Sequence, residues 1–296
     1  MKSTEFWLKG FGLLICVLFV CLPQNPLALE LTIAGLILIT LGIPHGAIDH
    51  LTSEPSTTRK GLLIFLLRYL GMIGIYLILW IFFPVLSLAF FLLFSSYHFG
   101  QSHFFELKSY SLIYSTLFVS RGAFYIAVIL FGDFSMTQKI LDPLLELGAI
   151  SEYGPWISMG FLVLSMVLEV LVFQKIKRAT WIDLLLLAPL LYFSPLLISF
   201  IVYFGFWHAF PSMKLEYDFL RNFPKYNTLK KFTLQLLPFS LISLFGLALM
   251  IYFGQRFLES NELLLLFFIL ISLISFPHVV YMDRFVRFFK TDPYSA

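Results

Sequence analysis

Long apolar runs separated by short polar clusters make up most of this chain. They fall near residues 7–23, 28–45, 61–83, 85–105, 111–131, 154–173, 181–193, 195–211, 230–253 and 262–282. A helix needs about 20 apolar residues to cross the hydrocarbon of a bilayer, and most of these runs reach or approach that length. The alternating ten-residue segments of a transmembrane barrel are absent. The pattern predicts an all-α, polytopic transmembrane helical bundle of about ten spans (eight to ten), forming a single integral membrane domain over 1–296. Only Pro84 splits the third run from the fourth. The seventh and eighth are short and meet at Ser194-Pro195. The first run follows Lys2 and Lys9 as a signal peptide would. No small-x-small cleavage pattern follows, so it reads as a retained first helix.

Composition agrees. The chain is 59% hydrophobic and 12% charged, with 36 Phe, where a soluble domain carries about 25% charged residues. No polar stretch is long enough for a soluble domain. A net charge of +3 gives no reason to expect nucleic acid as a partner. Cys16 and Cys21 both lie in the first run, which rules out a disulfide framework or a thiolate metal site. With the N-terminus inside, one side collects Lys2, Lys9, Arg59, Lys60, Lys108, Lys175, Lys177, Arg178, Lys214, Arg221, Lys225, Lys230, Lys231, Arg284, Arg287 and Lys290. The other side holds only Lys139 and Arg256, and its longest loop, 132–153, is net acidic. That asymmetry predicts an even number of spans with both termini cytoplasmic. The expected location is the inner (cell) membrane of a bacterium.

The candidate chemistry is imidazole. His45, His98, His208 and His278 sit toward the inner ends of four separate even-numbered runs. Ionisable groups are costly in a membrane and mark function there. One histidine near a helix end is an ordinary interfacial anchor, and His50 fits that reading. Four on four helices at one depth go beyond what anchoring needs. Gly42, Pro44 and Gly46 surround His45, Pro211 follows His208, and Pro277 precedes His278. Proline breaks helical hydrogen bonding, and broken helix is tolerated in a membrane where it is enclosed by protein. An all-imidazole donor set suits Fe, Cu, Zn or Ni and does not choose among them. Asp49 and Asp283 lie near His45 and His278 in sequence and are candidates to accept a ligand's second N–H. Arg68, Arg121 and Glu169, inside or near apolar runs, are expected to pair within the bundle. The rival reading is a membrane haem-binding electron-transfer protein that uses the same histidines. Six histidines are too few for a di-iron desaturase. The missing internal repeat argues against a transporter. The missing mid-helix lysine argues against a retinal photoreceptor.

Four motifs carry a resemblance. They are Gly42-Ile43-Pro44-His45-Gly46-Ala47-Ile48-Asp49, Tyr97-His98-Phe99-Gly100, Tyr203-Phe204-Gly205-Phe206-Trp207-His208, and Phe276-Pro277-His278-Val279-Val280-Tyr281-Met282-Asp283. In this order and at these separations the chain, from about 40 to 288, resembles the Brp/Blh family of membrane β-carotene dioxygenases. The resemblance implies a non-haem Fe(2+) enzyme that splits the central 15,15′ double bond of β-carotene with O2. The product would be two all-trans-retinal, with a retinal-binding rhodopsin as a downstream recipient. Carried over by position, His45, His98 and His208 would be catalytic and hold the iron. The family often has a further histidine four residues after the third; here that position is Ser212. His278 is the favoured fourth ligand and His103 the alternative, and a three-histidine site with an open face is also workable. Phe94, Tyr97, Tyr203, Phe206 and Trp207 lie near the site in sequence and are candidates to line a tunnel for the hydrocarbon substrate, with ordinary helix packing the favoured reading of each.

Overall fold

The computed structural model describes residues 2–22, 27–55, 58–107 and 111–291. Position 23, at the end of the first apolar run, and Lys108 lie outside them. The described residues contain no strand. In chain order the helices are α1 (Lys2–Cys21), α2 (Leu27–Ile37), α3 (Ile43–Gly46), α4 (Asp49–Ser53), α5 (Arg59–Phe82), α6 (Pro84–Ser102), α7 (Leu112–Gly132), α8 (Phe134–Leu141), α9 (Gly154–Phe173), α10 (Arg178–Ile182), α11 (Ala188–Phe193), α12 (Leu196–Val202), α13 (Phe210–Leu220), α14 (Leu229–Gly254) and α15 (Ser260–Thr291). Among the described residues, each predicted run falls on helix over most of its length. Among the described residues, eight stretches are long and apolar enough to cross a membrane. The fourth run is absent from that set because the second half of α6 carries Ser95, Ser96, His98, Gln101 and Ser102. The seventh is absent because it is short.

Outward-facing side chains are apolar over long stretches. Leu63 and Leu67 on α5, Trp156 and Val163 on α9, and Leu241 and Phe245 on α14 are all exposed. In water such faces would aggregate; against lipid tails they are at home. The protein is an integral, polytopic, helical membrane protein.

The helices group into two compact units. One takes its residues from 1–42, 95–106 and 110–211, the other from 43–94, 107–109 and 212–296. In the first, α7 packs along α9 and α11, and the second half of α6 lies against α7. Glycine sets that last approach. A Cβ on Gly100 would stand 1.7 Å from the Phe118 carbonyl oxygen, and one on Gly122 would stand 1.9 Å from that of Ser96. Small residues let two backbones close in this way where no hydrophobic driving force separates helix from lipid. Arg121 and Glu169 are fully buried and pair at 2.6 Å. Arg121 Nε–H also donates to Ser165 Oγ at 2.7 Å, and Glu169 accepts the Lys177 backbone N–H and the Thr180 hydroxyl, each at 2.9 Å. Each charge is therefore both neutralised and hydrogen-bonded, as burial requires. Arg68, in contrast to the expectation, is exposed.

The second unit joins α5 to α15. Trp80 Nε1–H donates to Ser272 Oγ at 2.9 Å, and the Tyr69 hydroxyl donates to the Ile274 carbonyl at 3.2 Å. The Tyr76 hydroxyl donates to the Ser87 carbonyl at 2.8 Å, bridging the break at Pro84.

Three departures from regular helix were not expected in detail. Wider π-type turns occupy Leu38–Gly42, Asp183–Leu187 and Tyr203–Ala209. The first directly precedes the helix that carries His45, and the third contains His208. Around His278 the expected break is missing, for α15 runs unbroken through Pro277. The acidic loop holds α8, capped by Asp133. That carboxylate accepts the Met136 N–H and, with its other oxygen, the Leu196 N–H, each at 3.2 Å. One side chain thus supports the start of α8 and the break at Pro195.

Candidate metal centre

Each unit buries one pair of histidines. In the second unit, His45 on α3 and His278 on α15 face each other with Nε2 to Nε2 at 2.9 Å and rings nearly perpendicular. The Nδ1 of His278 lies 2.9 and 3.0 Å from the two oxygens of Asp49, at the start of α4. A carboxylate there takes the proton-bearing nitrogen, Nδ1–H. The lone pair is then left on Nε2, turned toward His45, which is the tautomer a metal ligand needs. On the far side of His45, Nδ1 stands 4.0 Å from a carboxylate oxygen of Glu216 on α13.

In the first unit, His98 on α6 and His208 have ring centroids 4.4 Å apart. Phe99 and Phe204 flank His208 at 4.7 and 5.8 Å. The π turn that carries His208 is pinned along its length. Tyr203 hydroxyl bonds His103 Nε2 at 3.0 Å, Trp207 Nε1–H donates to Asp183 Oδ1 at 2.9 Å, and Ser102 hydroxyl donates to the Trp207 carbonyl at 3.3 Å. Gly205 keeps this turn close to α2, since a Cβ there would stand 2.5 Å from Ile37 Cγ2. π-turns of this kind recur at functional sites.

All four imidazoles are buried, at 2% exposure for His45, 4% for His98, 1% for His208 and 6% for His278. Each offers a nitrogen able to bind a metal ion. The donors are imidazole with no thiolate, which fits first-row divalent metals including iron. The Asp49–His278 arrangement fits too, because metal-binding imidazoles generally give their second N–H to such an acceptor.

The remaining sequence-predicted residues are placed as follows. His103 lies past the end of α6, bonded to Tyr203, 3.7 Å from Asp183 and stacked on Tyr125 at 5.1 Å. Ser212 is fully buried on α13. Asp49 meets His278, while Asp283 pairs with Arg287 one turn further along α15 at 2.7 Å. Among the aromatics, Phe94 packs on Tyr76 and Phe276, Tyr97 on Phe118, and Phe206 on Phe11. Sequence reasoning passed over Glu216 and Asp183. A weak signal for Glu216 existed in its spacing, four residues after Ser212 and eight after His208 on one helical stretch.

Fold and site together define an integral membrane protein with buried histidines able to bind a metal. The beta-carotene 15,15'-dioxygenase family matches residues 36–285, most of the chain, and the chain belongs to that family. Neither the curated proteins nor the solved structures gave a match.

Proposed function

We propose that this protein cleaves the central 15,15′ double bond of β-carotene with O2 to give two all-trans-retinal, using one Fe(2+) held by His45, His98, His208 and His278. Family membership supports the reaction. The observation that carries the metal reading is the Nε2–Nε2 approach of His45 and His278, with Nδ1 of His278 held by Asp49. In this reading the whole chain acts as one membrane domain, with both termini in the cytoplasm of a bacterium. A retinal-binding rhodopsin is the recipient of the product.

The reaction balances without another reductant. One carbon–carbon double bond breaks, and each carbon takes one oxygen atom from O2. Bound iron supplies the site at which O2 is activated. The protein residues orient, enclose and hold. Asp49 fixes the tautomer of His278. Phe99 and Phe204 pack apolar rings against the buried His208, surroundings that disfavour water there. The π turn sets where His208 points. A lipid-dissolved substrate needs no aqueous route, which suits a molecule whose outer faces are apolar.

Expression in a β-carotene-producing host tests the proposal. Loss of orange colour with retinal appearing is the expected result, and 18O2 should label both retinal molecules. His45→Ala, His98→Ala and His208→Ala should each abolish retinal formation. Persisting β-carotene in cells that hold folded, iron-loaded protein would refute the reaction. A Soret band in the purified protein would instead favour the haem reading.

A further inference from the structure

Glu216 is a buried carboxylate that the reading so far does not use. It sits on α13 in the second unit at 0% exposure, and neither of its oxygens accepts a hydrogen bond from a described residue. A buried carboxylate is costly unless a donor faces it. The ring nitrogen facing it is His45 Nδ1, at 4.0 Å. The other nitrogen of that ring, Nε2, is turned to His278. The two imidazoles therefore stand between two carboxylates, Asp49 behind His278 and Glu216 behind His45.

We infer that Glu216 is the positioning carboxylate of His45, accepting its Nδ1–H so that the Nε2 lone pair points to the metal, as Asp49 does for His278. The contact is about one ångström longer than a hydrogen bond, and glutamate has the side-chain torsions to shorten it. The inference rests on the metal reading above and adds a residue to it. It also gives α13 a role at the centre although Ser212, one turn earlier, provides no imidazole. Without an acceptor at Nδ1, His45 is free to carry its proton on Nε2, the tautomer that cannot bind metal.

The test uses the purified full chain in detergent, titrated with Fe(II) and, for its absorption spectrum, with Co(II). Wild type should bind one ion. Glu216→Leu should bind about 10- to 100-fold more weakly, the usual loss for such a partner, while metal-free protein unfolds at or above the wild-type temperature. Glu216→Gln keeps an acceptor but no charge, so it should weaken binding a few-fold and shift the Co(II) bands. Either variant, folded and showing wild-type affinity and spectrum, would overturn the role of Glu216 and leave the metal centre standing. Should Glu216→Leu not fold, Glu216→Gln decides alone. No binding by wild type would overturn the centre itself, and this role with it.

Discussion

Replacing Gly100 with alanine tests how tightly helix packing governs the site. The added Cβ would stand 1.7 Å from the Phe118 carbonyl oxygen, 2.5 Å from its carbon and 2.9 Å from its Cα. All three are backbone atoms, so no side-chain rotation relieves the clash. Real Cβ atoms stay beyond 3.0 Å, so the second half of α6 and α7 must part by at least about 1.3 Å at this point. The reciprocal contact, Gly122 against Ser96, lies on the same seam and opens with it. His98 sits between Ser96 and Gly100 on that half-helix. Sites of this kind tolerate displacements of about 0.5 Å, and an error of about 1 Å can cost on the order of a hundredfold in rate. We therefore expect Gly100→Ala to lower retinal formation at least tenfold. Overpacking should also destabilise the fold by about 1–3 kcal/mol. Retinal is measured by chromatography of extracts from the β-carotene host, and stability by thermal unfolding in detergent. Gly160→Ala is the control, because a Cβ there meets nothing within 4 Å. Wild-type retinal yield and melting temperature in Gly100→Ala would refute the reasoning.

Other outcomes follow from the same geometry. Arg121→Leu leaves Glu169 buried without its cation and should cost about 3–5 kcal/mol in thermal unfolding, whereas Arg121→Leu/Glu169→Leu should recover most of the loss; equal losses would show that the pair matters by packing alone. Asp183→Ala removes the acceptor of Trp207 Nε1–H, costing about 1–3 kcal/mol and loosening the turn that carries His208; Asp183→Asn should restore stability, and a variant insensitive to both changes would show the turn to be held elsewhere. Stripping the metal with a chelator should abolish retinal formation, and Fe(2+) but not Zn(2+) should restore it; activity that survives chelation and dialysis would refute a removable iron.

The helices were legible because lipid imposes one rule on them all: a spanning segment must satisfy its own backbone and face apolar surface outward. Runs such as 154–173 and 230–253 coincide with α9 and α14 almost to the residue. The burial of Arg121 and Glu169 was legible from charge within an apolar run, whereas Arg68, also in such a run, is exposed. The π turns were not legible. The one over Tyr203–Ala209 is bonded by partners from distant parts of the chain, His103 and Asp183, and no local pattern encodes that. The histidine motifs drew attention to His45, His98, His208 and His278 and to Asp49 as a candidate acceptor, but not to which imidazole Asp49 serves. Asp49 lies four residues from His45 yet binds His278, because the short turn after α3 swings it toward α15. Glu216 carries no motif beyond its helical spacing from His208 and Ser212, and its burial on α13 is what distinguishes it.

The Arg121–Glu169 pair also constrains how the chain is made. Alone at mid-helix, arginine costs about 2.5–3.5 kcal/mol to insert on translocation scales. α7 and α9 are successive spans, and each carries half of the neutral couple. α7 should therefore linger at the insertion channel until α9 has been synthesised, and the two should leave for the lipid as a hairpin.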